Sequence, residues 1–91
     1  MFKSLMRKET NDTYEAAYYM LQGAHLESVR IRRLQTNKAE RMGVRNVWLM
    51  TMEGVPTEAV ETWRVGQATA NVKDIASARY RLKRKVHKAL R

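Results

Sequence analysis

Cysteine is absent from the chain, which excludes disulfide staples, thiolate metal sites, thiol redox chemistry and cysteine nucleophiles together. The absence fits a reducing compartment, and the expected location is cytoplasmic. No apolar run approaches the ~20 residues that span a bilayer, so no membrane partner is expected. Proline occurs once, at Pro56, and glycine four times. With so few breakers, no linker, repeat or low-complexity segment divides the chain. Histidine occurs twice, as His25 and His87, far apart in sequence and expected in structural or surface positions. There is no H-E-x-x-H, no glycine-rich phosphate loop, no G-x-S-x-G and no group of acids at metal-binding spacing. Glu58 and Glu61 lie one helical turn apart, the placement of charge that complements a helix N-terminus. The expectation is a protein that is not an enzyme, with no catalytic residue, cofactor or metal.

The 91 residues are 44% hydrophobic, enough for the chain to fold. A single domain over residues 1–91 is expected, with a radius of gyration of about 12 Å if compact. The formal net charge is +9, and it falls in two blocks. Between residues 28 and 45 stand Arg30, Arg32, Arg33, Lys38, Arg41 and Arg45 against one acid, Glu40. Between residues 75 and 91 stand Arg79, Arg81, Lys83, Arg84, Lys85, Lys88 and Arg91 against none. The remainder is mildly acidic, so the positive charge is concentrated rather than spread.

Residues 1–10 mix Leu5 and Met6 with Lys3, Arg7 and Lys8, a pattern too short and interrupted for a secretory signal. They are expected as a flexible basic arm. Asp12 and Glu15 have capping-box spacing, with Thr10 and Asn11 as rival caps. A first helix is therefore predicted from near Asp12, with Tyr14, Ala17, Tyr18 and Leu21 on one face and Gly23 at its end. Tyr14, Tyr18 and Tyr19 would suit a base-stacking platform, but two core positions and one exposed position are expected. A strand over 26–34 follows, with Val29 and Ile31 alternating against Arg30 and Arg32. A polar hairpin loop over 35–43 leads to a second strand over 45–53.

In that second strand Val47 and Leu49 fall on one face, and Trp48, Met50 and Met52 on the other. Cover on both sides is expected, by helices above and by a second copy below, which makes a homodimer one expected assembly. Gly54, Val55 and Pro56 should break the strand, and Thr57 with Glu58 should begin a short helix closed by Gly66. Asn71 and Asp74 should cap a last helix running to Leu90. The fold class is α+β: an N-terminal helix, an antiparallel β-hairpin, a short helix and a long C-terminal amphipathic basic helix.

At about 100° per residue, Ile75, Ala78, Leu82, Val86 and Ala89 share one face of the last helix, and Arg81, Arg84, Lys85, Lys88 and Arg91 share another. Lys83 lies at the border. Arg79 falls inside the apolar arc, where a lone guanidinium is costly unless paired. It is assigned a structural ion pair with Glu58 or Glu61, or bonds to helix-end carbonyls. Solvated helix faces usually mix signs, so an unmixed cationic face points to a negative partner. A nucleic-acid surface, DNA or RNA, is expected, bound mainly through phosphates and with low sequence specificity. Arg81, Arg84, Lys85, Lys88 and Arg91 lead it, with Arg30, Arg32, Arg33, Lys38 and Arg41 in support. The alternative is an interaction or structural protein, such as a virion component or an inhibitor, whose basic face meets an acidic protein. A membrane-surface helix would need large aromatics on its apolar side, which this one lacks. The connection over 66–71 exceeds the roughly three or four residues of a DNA-reading helix-turn-helix.

The string D-T-Y-E-A-A-Y-Y-M-L-Q-G (Asp12 to Gly23), followed by Leu26 and Val29, resembles the opening of small uncharacterised proteins from bacteria and their phages. The string W-R-V-G-Q-A-T-A-N-V (Trp63 to Val72), followed by Ala78, Leu82, Lys83 and Val86, is similar to the second half of that family, a domain of unknown function. The resemblance covers roughly residues 12 to 88 and implies a helix, a β-hairpin and C-terminal helices, with an origin in a phage or mobile element and a bacterial host cell. The long basic hairpin loop and the cationic tail depart from the family pattern. The resemblance assigns no catalytic or binding residue.

Overall fold

The computed structural model describes residues 4–35 and 44–90. In chain order these form β1 (Leu5–Thr10), α1 (Thr13–Leu21), β2 (His25–Gln35), β3 (Val44–Pro56), α2 (Thr57–Arg64) and α3 (Val72–Ala89). The class is α+β, as the periodicities predict. The strands make one antiparallel sheet with β3 in the centre, in the order β1-β3-β2. The expected loop over 35–43 falls, beyond Gln35, outside the described residues.

The first correction concerns residues 1–10. Residues 5–10 are not a flexible arm but a strand paired with β3 from Leu5↔Pro56 to Thr10↔Met50. Their alternation is hidden because Lys8 stands at a helix-side position and Leu5 at an outer one; opposite them the register shifts between Met6 and Lys8, where Val55 and Met52 are the partners. The extra residue lies on β3 at Glu53 and Gly54, a β-bulge that breaks the two-residue period. Gly54 adopts a φ of 74° there, a left-handed conformation that glycine takes without steric penalty. Gly54 and Val55 therefore bend β3 rather than end it, and the strand continues to Pro56. The backbone N–H of Thr57 donates to the carbonyl of Ser4 at 3.1 Å, so the start of β1 satisfies one of the orphan donors at the α2 N-terminus.

Helix α1 starts as expected: the Asp12 side chain accepts from the backbone N–H groups of Tyr14 and Glu15. The reciprocal half of the capping box is replaced. The Asp12 N–H donates to Thr10 Oγ1 at 3.1 Å, and the Thr10 hydroxyl donates to Glu15 Oε1 at 2.7 Å. The second carboxylate oxygen of Glu15 accepts from the Tyr19 hydroxyl. This chain of bonds allows Thr10 and Tyr19 to be buried, at 7% and 0% exposure, without an unpartnered polar atom. The buried face of α1 is Ala16, Ala17, Tyr18 and Tyr19, rotated from the predicted face, and Tyr14 is exposed. The rotation follows from α1 contacting both β3 and α3.

Met50, Met52, Val55, Leu82 and Val86, each fully buried, complete the core with the α1 tyrosines. All three helices contact the sheet, α1 and α2 through β3 and α3 through β2. The opposite sheet face bears Arg30, Glu9, Arg7, Glu27 and Glu53, joined by ion pairs. Leu49 and Val47 pair in register with Arg30 and Arg32 on this face and are half-buried within one chain. The reason given for a homodimer, apolar faces needing cover on both sides, is thus weakened: long charged side chains border the second face. Because β1 pairs only with the Met50–Pro56 part of β3, β2 and β3 run on past it as a two-stranded ribbon, in a molecule measuring 52 × 32 × 25 Å.

The buried Tyr19 hydroxyl yields a pH prediction. Burial, followed by the hydrogen bond to Glu15, raises its pKa above the ordinary value of 10.0. A group whose folded pKa is raised contributes stability that is complete below its unfolded pKa and is lost as pH rises through the folded value. Stability should therefore decline above about pH 10. Tyr19→Phe should cost about 1–2 kcal/mol at neutral pH, through the lost bond to Glu15, and should flatten the alkaline decline. Thermal melts across the alkaline range test this, and an unchanged alkaline limb in Tyr19→Phe would contradict it.

Candidate nucleic-acid interface

Helix α3 is fixed by a cap at its start and by the burial of one face. Asn71 caps its start by accepting from the Lys73 N–H at 2.9 Å, and Asp74 places negative charge in its first turn. Ala78, Leu82 and Val86 are all fully buried, each burial of a Leu or Val being worth about 1.5–3 kcal/mol. Docking that face turns Arg81, Arg84, Lys85 and Lys88 outward. These four residues and His87 line an open cleft of about 600 Å³. Their spacing (i, i+3, i+4, i+7) puts the four cations on one side of the helix, along about 10 Å of its axis.

Among the described residues, none of the four has a carboxylate within 4.0 Å. Other arginines behave differently. Arg64 pairs with Glu61, and Arg7 lies 2.9 Å from Glu27 and 3.0 Å from Glu53, each beside a register shift, that of Glu27 falling between Leu26 and Ser28 in the β2–β3 pairing. Its hydrogen bond with Glu53 raises the Arg7 pKa. The hydrogen bond with Glu53 also raises that of Glu27, whereas bonds from Glu27 and then Arg7 lower that of Glu53. The outer sheet face is therefore a mixed-charge surface.

Two of the supporting residues expected on the hairpin, Arg30 and Arg32, do not join the α3 cleft. Arg30 and Arg32 pair in register with Leu49 and Val47, on the sheet face turned away from the helices, and Arg30 is 3.8 Å from Glu9. The reason is the two-residue period: Val29 and Ile31 face the helix side, so the arginines between them face the other way. Lys38, Arg41 and Arg91 lie outside the described residues, as does the side chain of Arg33.

Arg79 requires a second correction. It is partly buried, off the cationic face, but its partner is not a carboxylate. Its Nε and Nη2 donate to Thr13 Oγ1 at 3.3 and 3.2 Å, and its guanidinium carbon lies 3.8 Å from the centroid of the Tyr14 ring. Glu61, one expected partner, is taken by Arg64, whose hydrogen bond holds the Glu61 carboxyl below its ordinary pKa. Arg79 thus joins the start of α1 to α3 through a cation–π stack and a hydroxyl. The stack also covers one face of Tyr14, and Tyr18 and Tyr19 are buried. The three α1 tyrosines therefore do not form an open stacking platform.

Two further residues gain a place: His87, expected in a structural or surface position, and Tyr80, which the sequence reading did not single out. His87 is a wall of the cleft and meets Trp48 of β3 edge-on, with ring centroids 5.3 Å apart and planes at 87°. Tyr80 is 65% exposed, and the Arg84 guanidinium lies 5.9 Å from its ring centroid. A helical wheel would have found Tyr80, since it is four residues before Arg84 and nearly opposite Leu82. Among the described residues no group of three or more His, Cys, Asp or Glu side chains is arranged to hold a metal ion, and no helix is long and apolar enough to cross a membrane.

Arg79→Ala should destabilise the fold by about 1–2 kcal/mol, from the lost stack and charged hydrogen bonds, with little effect on ligands of the cleft. A variant that melts like the wild type would contradict the assignment. No protein-family model matches the chain, and neither does any curated protein or solved structure.

Proposed function

We propose that this protein binds nucleic acid through the outward face of α3, chiefly by phosphate contacts and with low sequence specificity. The observation that carries the reading is the cleft itself. Arg81, Arg84, Lys85 and Lys88 converge on it without a carboxylate partner among the described residues.

The arrangement is unfavourable for the isolated chain. Arg81 with Lys85, and Arg84 with Lys88, are like charges one turn apart, each pair destabilising a helix by about 0.2–0.5 kcal/mol. Part of this charge complements the helix C-terminus, where cations are favourable. That effect falls off within the last turn and leaves Arg81 and Arg84 unexplained. A row of phosphates would remove the repulsion and release condensed counterions. The cleft suits such a row because it is open and, among the described residues, four of its lining side chains are long, flexible cations. An accessory role on a phage or mobile element in a bacterial cell is proposed with it, as the setting that the sequence reading expects.

The second reading, an acidic protein partner, rests on the same cations and separates by experiment. Binding to random duplex and single-stranded DNA should be measured across a salt series. About four phosphate contacts give a log-log slope near −3.6 for duplex DNA, with roughly −0.9 contributed per contact. Lys85→Glu with Lys88→Glu should abolish most binding while leaving the melt unchanged or improved. Absence of measurable binding at low salt would falsify the nucleic-acid reading and favour the acidic protein.

A further inference from the structure

We infer that the α3 face takes single-stranded nucleic acid, with an unpaired base stacked on Tyr80 while the neighbouring cations hold the phosphates. The inference rests on the nucleic-acid reading of the same face and specifies which form of nucleic acid it accepts.

Tyr80 lies on the solvent side of α3, away from Leu82 and Val86, and 65% of it is exposed. It is not part of the hydrophobic core, and its hydroxyl makes no hydrogen bond among the described residues. A lone exposed aromatic needs no explanation in itself. Its surroundings distinguish this one. Around the helix axis Tyr80 lies about 40° from Arg84 and about 20° from His87, at 100° per residue. Arg84 also places its guanidinium over the ring at 5.9 Å. Arg84, which lines the cleft with Arg81, Lys85, His87 and Lys88, thus connects the ring to the cationic surface.

Cations that follow a backbone, next to an aromatic face for a base, are the pairing used by proteins that hold single strands without sequence preference. Every base has a π-face, so stacking is tolerant of sequence. In duplex DNA both faces of each interior base are occupied by its neighbours, and a tyrosine on a convex helix has no route to them without unstacking. Tyr80 therefore favours strands whose bases are already free. Charge complementarity selects the polyanion, and the exposed ring selects its single-stranded form.

The test measures binding of labelled thymidine and uridine oligonucleotides of about 15 nucleotides, and of a duplex of equal length, to the full chain and to Tyr80→Ala and Tyr80→Phe. Tyr80→Ala should weaken both single-stranded probes by roughly 5- to 150-fold, as one stacked base contributes about 1–3 kcal/mol. Duplex affinity and the salt slope should not change. Tyr80→Phe keeps the ring and should bind single strands like the wild type. The thymidine and uridine arms report whether DNA or RNA is preferred, and loss in either supports the stack. Single-strand affinity unaffected by Tyr80→Ala, or equal loss on duplex, would overturn the inference while leaving the phosphate-binding reading intact. Failure of the wild type to bind any probe would overturn both. Tyr80 is exposed and alanine favours helix, so a folding defect is not expected to obscure the result.

Discussion

The burial of Ala78, Leu82 and Val86 is the constraint on which the outer surface depends. A helix with six arginines or lysines and no acid after Asp74 has one orientation in which its apolar residues leave water. That orientation commits Arg81, Arg84, Lys85 and Lys88 to solvent along one side. The apolar stripe supplies the favourable term, and the cationic face is carried with it. Exchanging Leu82 for alanine would loosen the face by about 2–5 kcal/mol of core energy, without touching a charge. Position and chemistry are coupled in this way only because α3 is docked rather than extended.

The docking has a second support in the buried polar chain at the other side of α1. Thr10 arrives on β1, Glu15 and Tyr19 on α1, and their hydroxyl–carboxylate bonds join the edge strand to the helix. Arg79 then joins α1 to α3 through Thr13 and Tyr14. The two connections together form a path from the sheet edge to the cationic helix. Each uses a side chain whose polar atoms would be costly to bury unpartnered, so each fixes a single packing rather than merely adding contact.

Much of the fold was legible in the sequence because most elements carry clean signals. Asp12, Gly23, Asn71 and Gly66 mark helix ends, and the Val29/Arg30/Ile31/Arg32 alternation marks β2. The missed strand shows where such reading stops. In β1 a lysine stands at a helix-side position and a leucine at an outer one, so the strand's alternation carries no hydrophobic signature, and the bulge opposite it at Glu53 and Gly54 is a property of two strands together that neither displays alone. Arg79 illustrates a similar limit. Its place in the apolar arc was legible, but its partner was not, because a hydroxyl and a ring from a distant helix leave no charge signature. The joint cationic surface expected from Arg30, Arg32 and α3 fails for a simpler reason. Strand alternation turns those arginines to the far side of the sheet. The α3 stripe was legible from spacing alone, and the same spacing places Tyr80 beside Arg84, although the sequence reading did not draw on it.

The central claim is that one face of one helix, and not the outer sheet face, meets the ligand. Amide chemical-shift mapping with a short single-stranded oligonucleotide tests it most directly, since both faces are read in one experiment. The account predicts that shifts concentrate on Tyr80, Arg81, Arg84, Lys85, His87 and Lys88, with Glu9, Arg30 and Thr51 unmoved. Shifts on the outer sheet face with α3 unchanged would contradict it.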